Sequence, residues 1–212
     1  MILIAGATGT NGIEIVRLLA RSGVPCRALV RNAQKAAALA ALPKVEIVEG
    51  DLADRETLAP AVEGVDKALL CSSIRPNLVE LQGKFIRTAK RAGVGHVVKF
   101  SGMDPDHSEW RFLRWHGQAE KELEDSGLAF THLLPNQFMQ VYLRFQPTIA
   151  ADGKFRAASK DSEVNPVDIR DIAAVAVLTQ SGHESKKYVI TGPKRLPTPR
   201  WRRNFLKPSV RR

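Results

Sequence analysis

Long hydrophobic runs are missing from this sequence, and it contains only two cysteines, Cys26 and Cys71. No window approaches the roughly 18 consecutive apolar residues that a membrane span requires, so we expect no membrane insertion. Both cysteines lie in apolar, strand-like segments, which predicts buried free thiols rather than a disulfide and, with them, a cytoplasmic protein. The five histidines show no ligand spacing such as H-x-x-x-H, and the sequence therefore predicts no metal site.

Acidic residues are absent from the last 19 positions, which accounts for most of the net charge of +10. This tail, 194–212, carries eight lysines and arginines, whereas the 24 basic and 22 acidic residues before it nearly cancel. The charge therefore predicts no nucleic-acid ligand for the folded body; contact of the tail with nucleic acid or another anionic surface is the alternative. Prolines among the arginines disfavour helix and strand there, and the abrupt change of composition indicates a truncated or frame-shifted C-terminus.

Short β-type segments alternate with helical patterns from the first residues onward. Strands are predicted at about 1–5, 25–30, 44–48, 66–71, 95–101, 129–134 and 187–191. Helices are predicted near 11–22, 33–41, 54–62, 76–92, 112–126 and 167–180. This alternation is typical of α/β proteins with a doubly wound parallel sheet of the Rossmann type. We assign 1–193 to one such domain, in which the less regular 135–166 forms a small, truncated substrate region over the carboxyl ends of the strands.

A glycine-rich segment, Gly6-Ala7-Thr8-Gly9-Thr10-Asn11-Gly12, joins the first strand directly to the first helix. Glycine permits a tight turn, close approach of the backbone to a pyrophosphate, and close contact between helix and strand. The N-terminus of the helix offers unpaired N–H groups to phosphates. The residues predicted to contact the phosphates are Gly6, Thr8, Gly9, Thr10, Asn11 and Gly12.

The end of the second strand indicates which dinucleotide binds. An acidic residue there would bind the ribose hydroxyls of NAD, but this chain has Arg31 followed by Asn32, with Lys35 one turn later. Arg31 can form a bidentate contact with a 2′-phosphate, and no nearby carboxylate is expected to repel that phosphate. The sequence therefore predicts NADP(H) in preference to NAD(H), with a solvated arginine as the alternative reading.

The ends of the third and fourth strands complete the predicted cofactor site. Asp51 is placed to reach the adenine amine and Leu52 to pack on the adenine ring, although Asp51 can also cap the following helix. Ser72 follows the fourth strand among small residues that allow backbone to pass close to a cofactor.

These elements together resemble the NmrA-like NAD(P)-binding proteins of the atypical short-chain dehydrogenase/reductase group. The resemblance covers 1 to about 193 and rests on the glycine segment and on the following runs: Arg31-Asn32, Gly50-Asp51-Leu52, 97–101, 126–128, 131–136 with 138–139, and 167–173. It implies NADPH or NADP⁺ in the cleft and a second ligand over the nicotinamide. The family includes quinone, azo-dye and aromatic-ether reductases as well as redox-sensing regulators, and the fold alone does not distinguish them.

Acid-catalysing short-chain reductases carry Tyr-x-x-x-Lys on one helix face, and the corresponding places here are Phe112 and His116. The usual dyad is therefore absent. His116 can donate a proton, with Glu120 one turn later to orient it, and Ser101 matches the supporting serine. The alternatives are a surface histidine paired with Glu120, and a cofactor or structural contact for Ser101. Quinone-like acceptors need little proton donation from the enzyme, so hydride transfer remains compatible with these residues.

Phe138, Met139 and Tyr142 follow a Pro-Asn turn at helical spacing and are candidates either for a flat aromatic-substrate pocket or for plain core.

The function predicted from all these features is an NADPH-dependent reductase of a quinone-like or other conjugated small molecule. A non-catalytic NADP(H) sensor that acts through a protein partner is the alternative, favoured by the missing dyad. A cofactor-binding chain impaired by its altered C-terminus is the third hypothesis.

Overall fold

The computed structural model describes residues 1–106, 108–152, 163–178 and 181–197. The main sheet contains β1 (Ile2–Ala5), β2 (Cys26–Val30), β3 (Val45–Glu49), β4 (Lys67–Leu70), β5 (His96–Phe100), β6 (Ala129–Pro135) and β8 (Lys186–Ile190). The helices are α1 (Thr10–Arg21), α2 (Ala37–Ala40), α3 (Arg55–Ala61), α4 (Leu78–Arg91), α5 (Arg111–Asp125), α6 (Gln146–Asp152) and α7 (Ile169–Leu178). Two 3₁₀ segments, Gln34–Ala36 and Met139–Phe145, precede α2 and α6.

The seven strands of the main sheet are parallel and lie in the order β3-β2-β1-β4-β5-β6-β8. The order reverses between β1 and β4, and in doubly wound sheets ligands bind at the carboxyl ends of the strands beside such a switch point. The predicted fold class is confirmed, and each predicted strand of the sheet is present within two residues of its expected ends. The predicted helix at 33–41 is shorter and begins as a 3₁₀ turn.

Apolar side chains alternate along the strands and form two cores, one on each face of the sheet. On one face, strand residues such as Ile4 and Val98 pack against α1 and α7. On the other face, Leu3 and Val97 pack against α3, α4 and α5, with Phe85 fully buried. The helices α1, α3, α4, α5 and α7 thus cover the two faces of the sheet, and the loops at the carboxyl edge remain available for a ligand.

The first residues of the tail have a defined position. Leu196–Pro197 forms β9, which pairs antiparallel with β7 (Glu163–Val164). The sequence disfavours a strand in the tail unless a partner orders it, and at these two residues β7 supplies the backbone hydrogen bonds. The rest of the tail, 198–212, lies outside the described residues.

Both cysteines are free, as the sequence predicts. Cys26 is buried in β2, whereas Cys71 is half-buried just after β4. Burial raises the pKa of each thiol to about 11, so neither is a reactive thiolate at neutral pH.

Within the part of the chain that the structure describes, no helix has the length and apolar character needed to cross a bilayer.

Asp54 caps α3, since its side chain accepts a hydrogen bond of 2.9 Å from the backbone N–H of Glu56. Asp51 therefore does not cap this helix, contrary to one reading of the sequence; its carboxylate accepts from Ala53 N–H instead, also at 2.9 Å. We predict that Asp54→Ala lowers the free energy of unfolding by about 1 kcal/mol in urea titrations, because the backbone N–H of Glu56 loses its side-chain acceptor. Asp54→Asn should restore most of this loss, and equal destabilisation by both variants would contradict the capping role.

Candidate functional site

The glycine segment forms a tight cradle between β1 and α1. Gly6 has a φ of +77°, and a Cβ on it would lie 2.4 Å from the carbonyl oxygen of Cys71. A Cβ on Gly12 would lie 2.2 Å from the carbonyl oxygen of Gly6, whereas one on Gly9 would meet the same oxygen at 3.2 Å. Only glycine fits at positions 6 and 12, because a Cβ there would overlap backbone atoms. The absence of these Cβ atoms allows the start of α1 to pack closely against the ends of β1 and β4.

The N-terminus of α1 is left open to a ligand. Gly9 is the N-cap, no side chain caps it, and the first turn contains no acidic residue. Thr8 and Thr10 are exposed beside it, while Asn11 is buried with its Oδ1 unpartnered among the described residues. Uncapped helix N–H groups with a partial positive charge are suited to a diphosphate. The cradle and its donors therefore fit the phosphates of a dinucleotide.

Arg31 follows β2 directly and is exposed. One feature of its surroundings was not expected from the sequence: the carboxylate of Glu49, at the end of β3, accepts a hydrogen bond of 2.6 Å from the backbone N–H of Ala33. The prediction that no carboxylate lies near this turn is therefore wrong, because the parallel pairing of β2 and β3 brings Val30 and Glu49 into register. The hydrogen bond fixes the Glu49 carboxylate to the backbone of the turn that carries Arg31.

The other predicted cofactor residues lie at the ends of neighbouring strands. Asp51 and Leu52 follow β3 and are half-buried, with Leu52 packed against the core under α3 and α4. Ser72 follows β4, and its Oγ accepts a hydrogen bond of 2.9 Å from the amide nitrogen of Gln82 in α4. Together with the glycine cradle and Arg31, these residues form one band along the carboxyl ends of β1 to β4, beside the switch point.

Ser101 and His116, the predicted catalytic candidates, belong to one buried polar cluster between β5 and α5. His116 is 5% exposed, so the reading as a surface histidine paired with Glu120 is wrong. Its Nδ1 lies 3.2 Å from Nζ of Lys99. Ser101 donates a short hydrogen bond to Glu120 and lies 3.1 Å from the same Nζ.

Lys99 is the unexpected member of this cluster. It is fully buried on β5, on the face that α5 covers. Burial, opposed by the charge of Glu120, lowers the pKa of Lys99 to about 7. Burial and the adjacent Lys99 charge lower the pKa of His116 to about 3, so this imidazole is neutral at physiological pH. A signal was present in the sequence: a lysine at an inward position of an apolar strand requires buried partners.

The cluster continues to the surface through Glu120, which sequence analysis placed beside His116, and then through three residues that it did not identify as site residues: Lys187, Glu124 and His132. Glu120, which is 1% exposed, binds Nζ of Lys187 at 3.1 Å, and Lys187 lies 3.0 Å from Glu124. Glu124 also contacts Nε2 of His132 on β6, at 3.1 Å. Glu120, Glu124 and His132 offer ligand atoms within 4.8 Å of one another. The ammonium group of Lys187 contacts both carboxylates, so the cation of this cluster is a lysine of the chain itself.

The three residues proposed for an aromatic pocket separate in the structure. Phe138 packs against the main core, with its ring in edge contact with Phe100 at 6.0 Å between centroids. Met139 packs on Tyr142 in a small cluster that also contains Phe145. This cluster lies in the segment after β6, at the carboxyl edge of the sheet, where it can border a second ligand.

A parallel sheet with a switch point, a glycine cradle against β4 and an uncapped α1 define this protein as a dinucleotide-binding protein of the Rossmann class. Residues 6–180 match the model of the NAD(P)H-binding family, and the chain belongs to that family. The resemblance stated from the sequence is thereby confirmed.

Several characterised proteins are similar to this chain. The NAD(P)H azoreductase of Xenophilus azovorans is 42% identical over 200 residues, which are 92% of this chain and 69% of the relative. The (4-alkanoyl-5-oxo-2,5-dihydrofuran-3-yl)methyl phosphate reductase of Streptomyces griseus is 37% identical over 200 residues, or 91% and 68% of the two chains. The crystal structure of the NADPH-dependent quinone oxidoreductase of Escherichia coli, complexed with NADPH, matches with a TM-score of 0.87 at 32% identity and covers 95% of this chain and 72% of that one.

Proposed function

We propose that this protein is an NADPH-dependent reductase that transfers a hydride to a conjugated small molecule such as a quinone or an azo compound. The observation that carries the proposal is the glycine cradle, in which Gly6 and Gly12 bring the open N-terminus of α1 against the end of β4. The relatives support the acceptor class, since an azo bond, a quinone and an acyl-dihydrofuranone all contain conjugated multiple bonds.

Each predicted residue has a role in this proposal. The backbone N–H groups of Gly9 to Gly12 hold the diphosphate, with Thr8 and Thr10 as side-chain donors. Arg31 binds the 2′-phosphate and thereby selects NADPH over NADH. Asp51 and Leu52 contact the adenine, and Ser72 lines the passage toward the nicotinamide.

Bound NADPH supplies the hydride, that is, two electrons and one hydrogen nucleus. Reduction of a quinone to a hydroquinone then needs one further proton. His116 is not an imidazolium at neutral pH, because its pKa lies at about 3, so it can hydrogen-bond the acceptor but the further proton comes from water. Ser101, which follows β5, supplies the hydroxyl group of the same cluster through its contacts with Lys99 and Glu120. The site acts chiefly by holding acceptor and cofactor face to face.

We also place the protein in the cytoplasm, because its two thiols are free and, with raised pKa values, structural. A small-molecule acceptor is its expected partner, and the basic residues of 194–197 are too few to define a nucleic-acid surface on the described part of the chain.

The test is oxidation of NADPH, followed by its absorbance, against a panel of quinones, azo dyes and conjugated enones. We expect turnover with at least one acceptor class and much slower turnover with NADH at the same concentration. If NADPH binds in calorimetry but no acceptor oxidises it, the reductase proposal is wrong and the sensor hypothesis gains support. If neither NADPH nor NADH binds, both functions are excluded.

A further inference from the structure

The turn after β2 combines a phosphate-binding arginine with a carboxylate from the next strand. Arg31 follows β2 directly and is exposed. Glu49, the last residue of β3, is also exposed, and its Oε1 accepts a hydrogen bond of 2.6 Å from the backbone N–H of Ala33. A negative charge of the protein itself is therefore held two residues away from the arginine that we propose to bind the 2′-phosphate.

The sheet determines the position of Glu49. In the parallel pairing of β2 and β3, Val30 lies opposite Glu49. The pairing continues to Gly50, whose N–H donates a hydrogen bond of 2.9 Å to the carbonyl oxygen of Val30. Adjacent strands lie about 4.8 Å apart, so the backbone of Glu49 is fixed beside the end of β2, and its carboxylate reaches Ala33 without any change in the loop.

The charge of Glu49 is not neutralised by a salt bridge among the residues that the structure describes. Glu46, three residues earlier on the same strand, shows the contrast. Its carboxylate binds Nε of Arg27 at 2.9 Å, and Arg27 lies opposite it in the strand pairing. Glu49 instead binds a neutral backbone N–H, so its negative charge acts on any anion that approaches the turn.

We infer that Glu49 is a specificity-determining residue, which opposes binding of the 2′-phosphate and so limits the preference for NADPH over NADH. This inference rests on the proposed contact between Arg31 and that phosphate. It assigns the cofactor preference to two opposed charges at one turn, a guanidinium from the end of β2 and a carboxylate from the end of β3.

Two effects make Glu49 act against the phosphate. Its carboxylate repels the phosphate, which carries close to two negative charges at neutral pH. It also occupies the N–H of Ala33, so a phosphate bound at Arg31 can use this donor only by displacing an anion. NADH has a neutral hydroxyl at the same place, so both effects act on NADPH alone.

Arg31 remains the stronger of the two determinants. A contact between a guanidinium and a phosphate is worth roughly 10- to 100-fold in affinity. A carboxylate about 7 Å from a doubly charged phosphate, at the protein surface and in ordinary salt, weakens binding by about 3- to 10-fold. The turn therefore prefers NADPH, but less strongly than Arg31 by itself would.

Glu49→Gln tests this inference, because it removes the charge and keeps an oxygen that can accept from Ala33. Calorimetric titrations of the full chain should show Kd for NADPH about 3- to 10-fold lower and Kd for NADH unchanged. The fragments 2′,5′-ADP and 5′-AMP, with and without the 2′-phosphate, should show the same difference. The inference is overturned if NADPH binds no more tightly, or if only NADH binding changes.

Glu46→Gln is the matched control. It removes the same charge from the same strand, but its position lies three residues, about 10 Å, further from the carboxyl edge of the sheet. Both nucleotides should bind this variant as they bind the unmodified protein. An equal gain in NADPH affinity for Glu46→Gln and Glu49→Gln would show an effect of net charge and would overturn the role of Glu49.

Two further measurements separate repulsion from a change in the fold of the turn. The gain in NADPH affinity should shrink as sodium chloride rises from about 0.05 M to about 0.5 M, because salt screens charges. In the ligand-free protein, the amide proton resonance of Ala33 should move in Glu49→Gln and stay in place in Glu46→Gln. A gain independent of salt, or an unmoved resonance in Glu49→Gln, overturns the inference.

Binding and turnover together distinguish this inference from the reductase proposal. Tighter NADPH binding by Glu49→Gln, in a protein that reduces no acceptor, would support the role of Glu49 and refute the reductase function. Turnover of an acceptor, with unchanged NADPH affinity in Glu49→Gln, would overturn the role of Glu49 and leave the reductase proposal in place.

Discussion

Gly12→Ala should lower the affinity for NADPH by at least about 100-fold, equivalent to about 2.7 kcal/mol. The added Cβ would lie 2.2 Å from the carbonyl oxygen of Gly6 and 2.8 Å from Cα of Ala7. Neither is a flexible side-chain end, so the first turn of α1 must move away from β1. Hydrogen bonds from its N–H groups to a phosphate are each worth about 1.5–3 kcal/mol, and loss of one or two produces this effect. Calorimetric titration with NADPH measures it.

Gly83→Ala serves as the control for this variant. Gly83 also lies within a helix, α4, but its added Cβ would meet only the carboxylate of Glu122, which can rotate away. We expect unchanged NADPH affinity, and both proteins should show similar far-UV circular dichroism. If Gly12→Ala binds NADPH as tightly as Gly83→Ala, the diphosphate does not sit at the start of α1, and the cofactor site must be assigned elsewhere.

Arg31→Asp should weaken NADPH by roughly 30- to 100-fold and leave the affinity for NADH nearly unchanged. A guanidinium–phosphate contact contributes about 1.5–3 kcal/mol, and NADH lacks the 2′-phosphate that receives it. The new carboxylate would stand beside Glu49, already fixed to the Ala33 backbone at 2.6 Å, so the turn would repel the phosphate. Dissociation constants for both nucleotides, measured at one salt concentration, give the ratio.

Arg91→Asp makes the same change of charge at an exposed position in the last turn of α4. It should weaken both nucleotides only slightly, and NADPH a little more than NADH because of its additional phosphate charge, so it measures the contribution of net charge alone. Equal affinities of the unmodified protein for the two nucleotides would remove the basis for the NADP assignment. Equal weakening of both nucleotides by Arg31→Asp would show that Arg31 acts on the fold of the turn rather than on the 2′-phosphate.

Much of the fold could be predicted because its signals are local. Apolar strands of four to seven residues, glycine turns and amphipathic helices occur in their order along the chain, and each is visible within a short window. The glycine cradle was predicted for the same reason, since turn, phosphate site and helix start lie within seven consecutive residues. The β9 pairing was missed because two residues of strand carry almost no pattern of their own.

The polar cluster under α5 could not be predicted in the same way. The i,i+4 spacing of His116 and Glu120 indicated a helical pair, but in the folded chain each binds a residue from a strand instead: His116 binds Lys99, and Glu120 binds Lys187. Lys99 and Lys187 come together because β5, β6 and β8 are neighbours in the sheet. No local pattern records that adjacency.

The sequence by itself determined the class of this protein, because strand periodicity and glycine spacing follow from the geometry of one chain segment at a time. The tertiary structure decided what surrounds each ionisable group. Burial and partners from distant strands lower the pKa of Lys99 to about 7 and make His116 a neutral imidazole. The physical reason is that the ionisation of a buried side chain depends on desolvation and on the charges that the fold places beside it, neither of which is a property of adjacent residues.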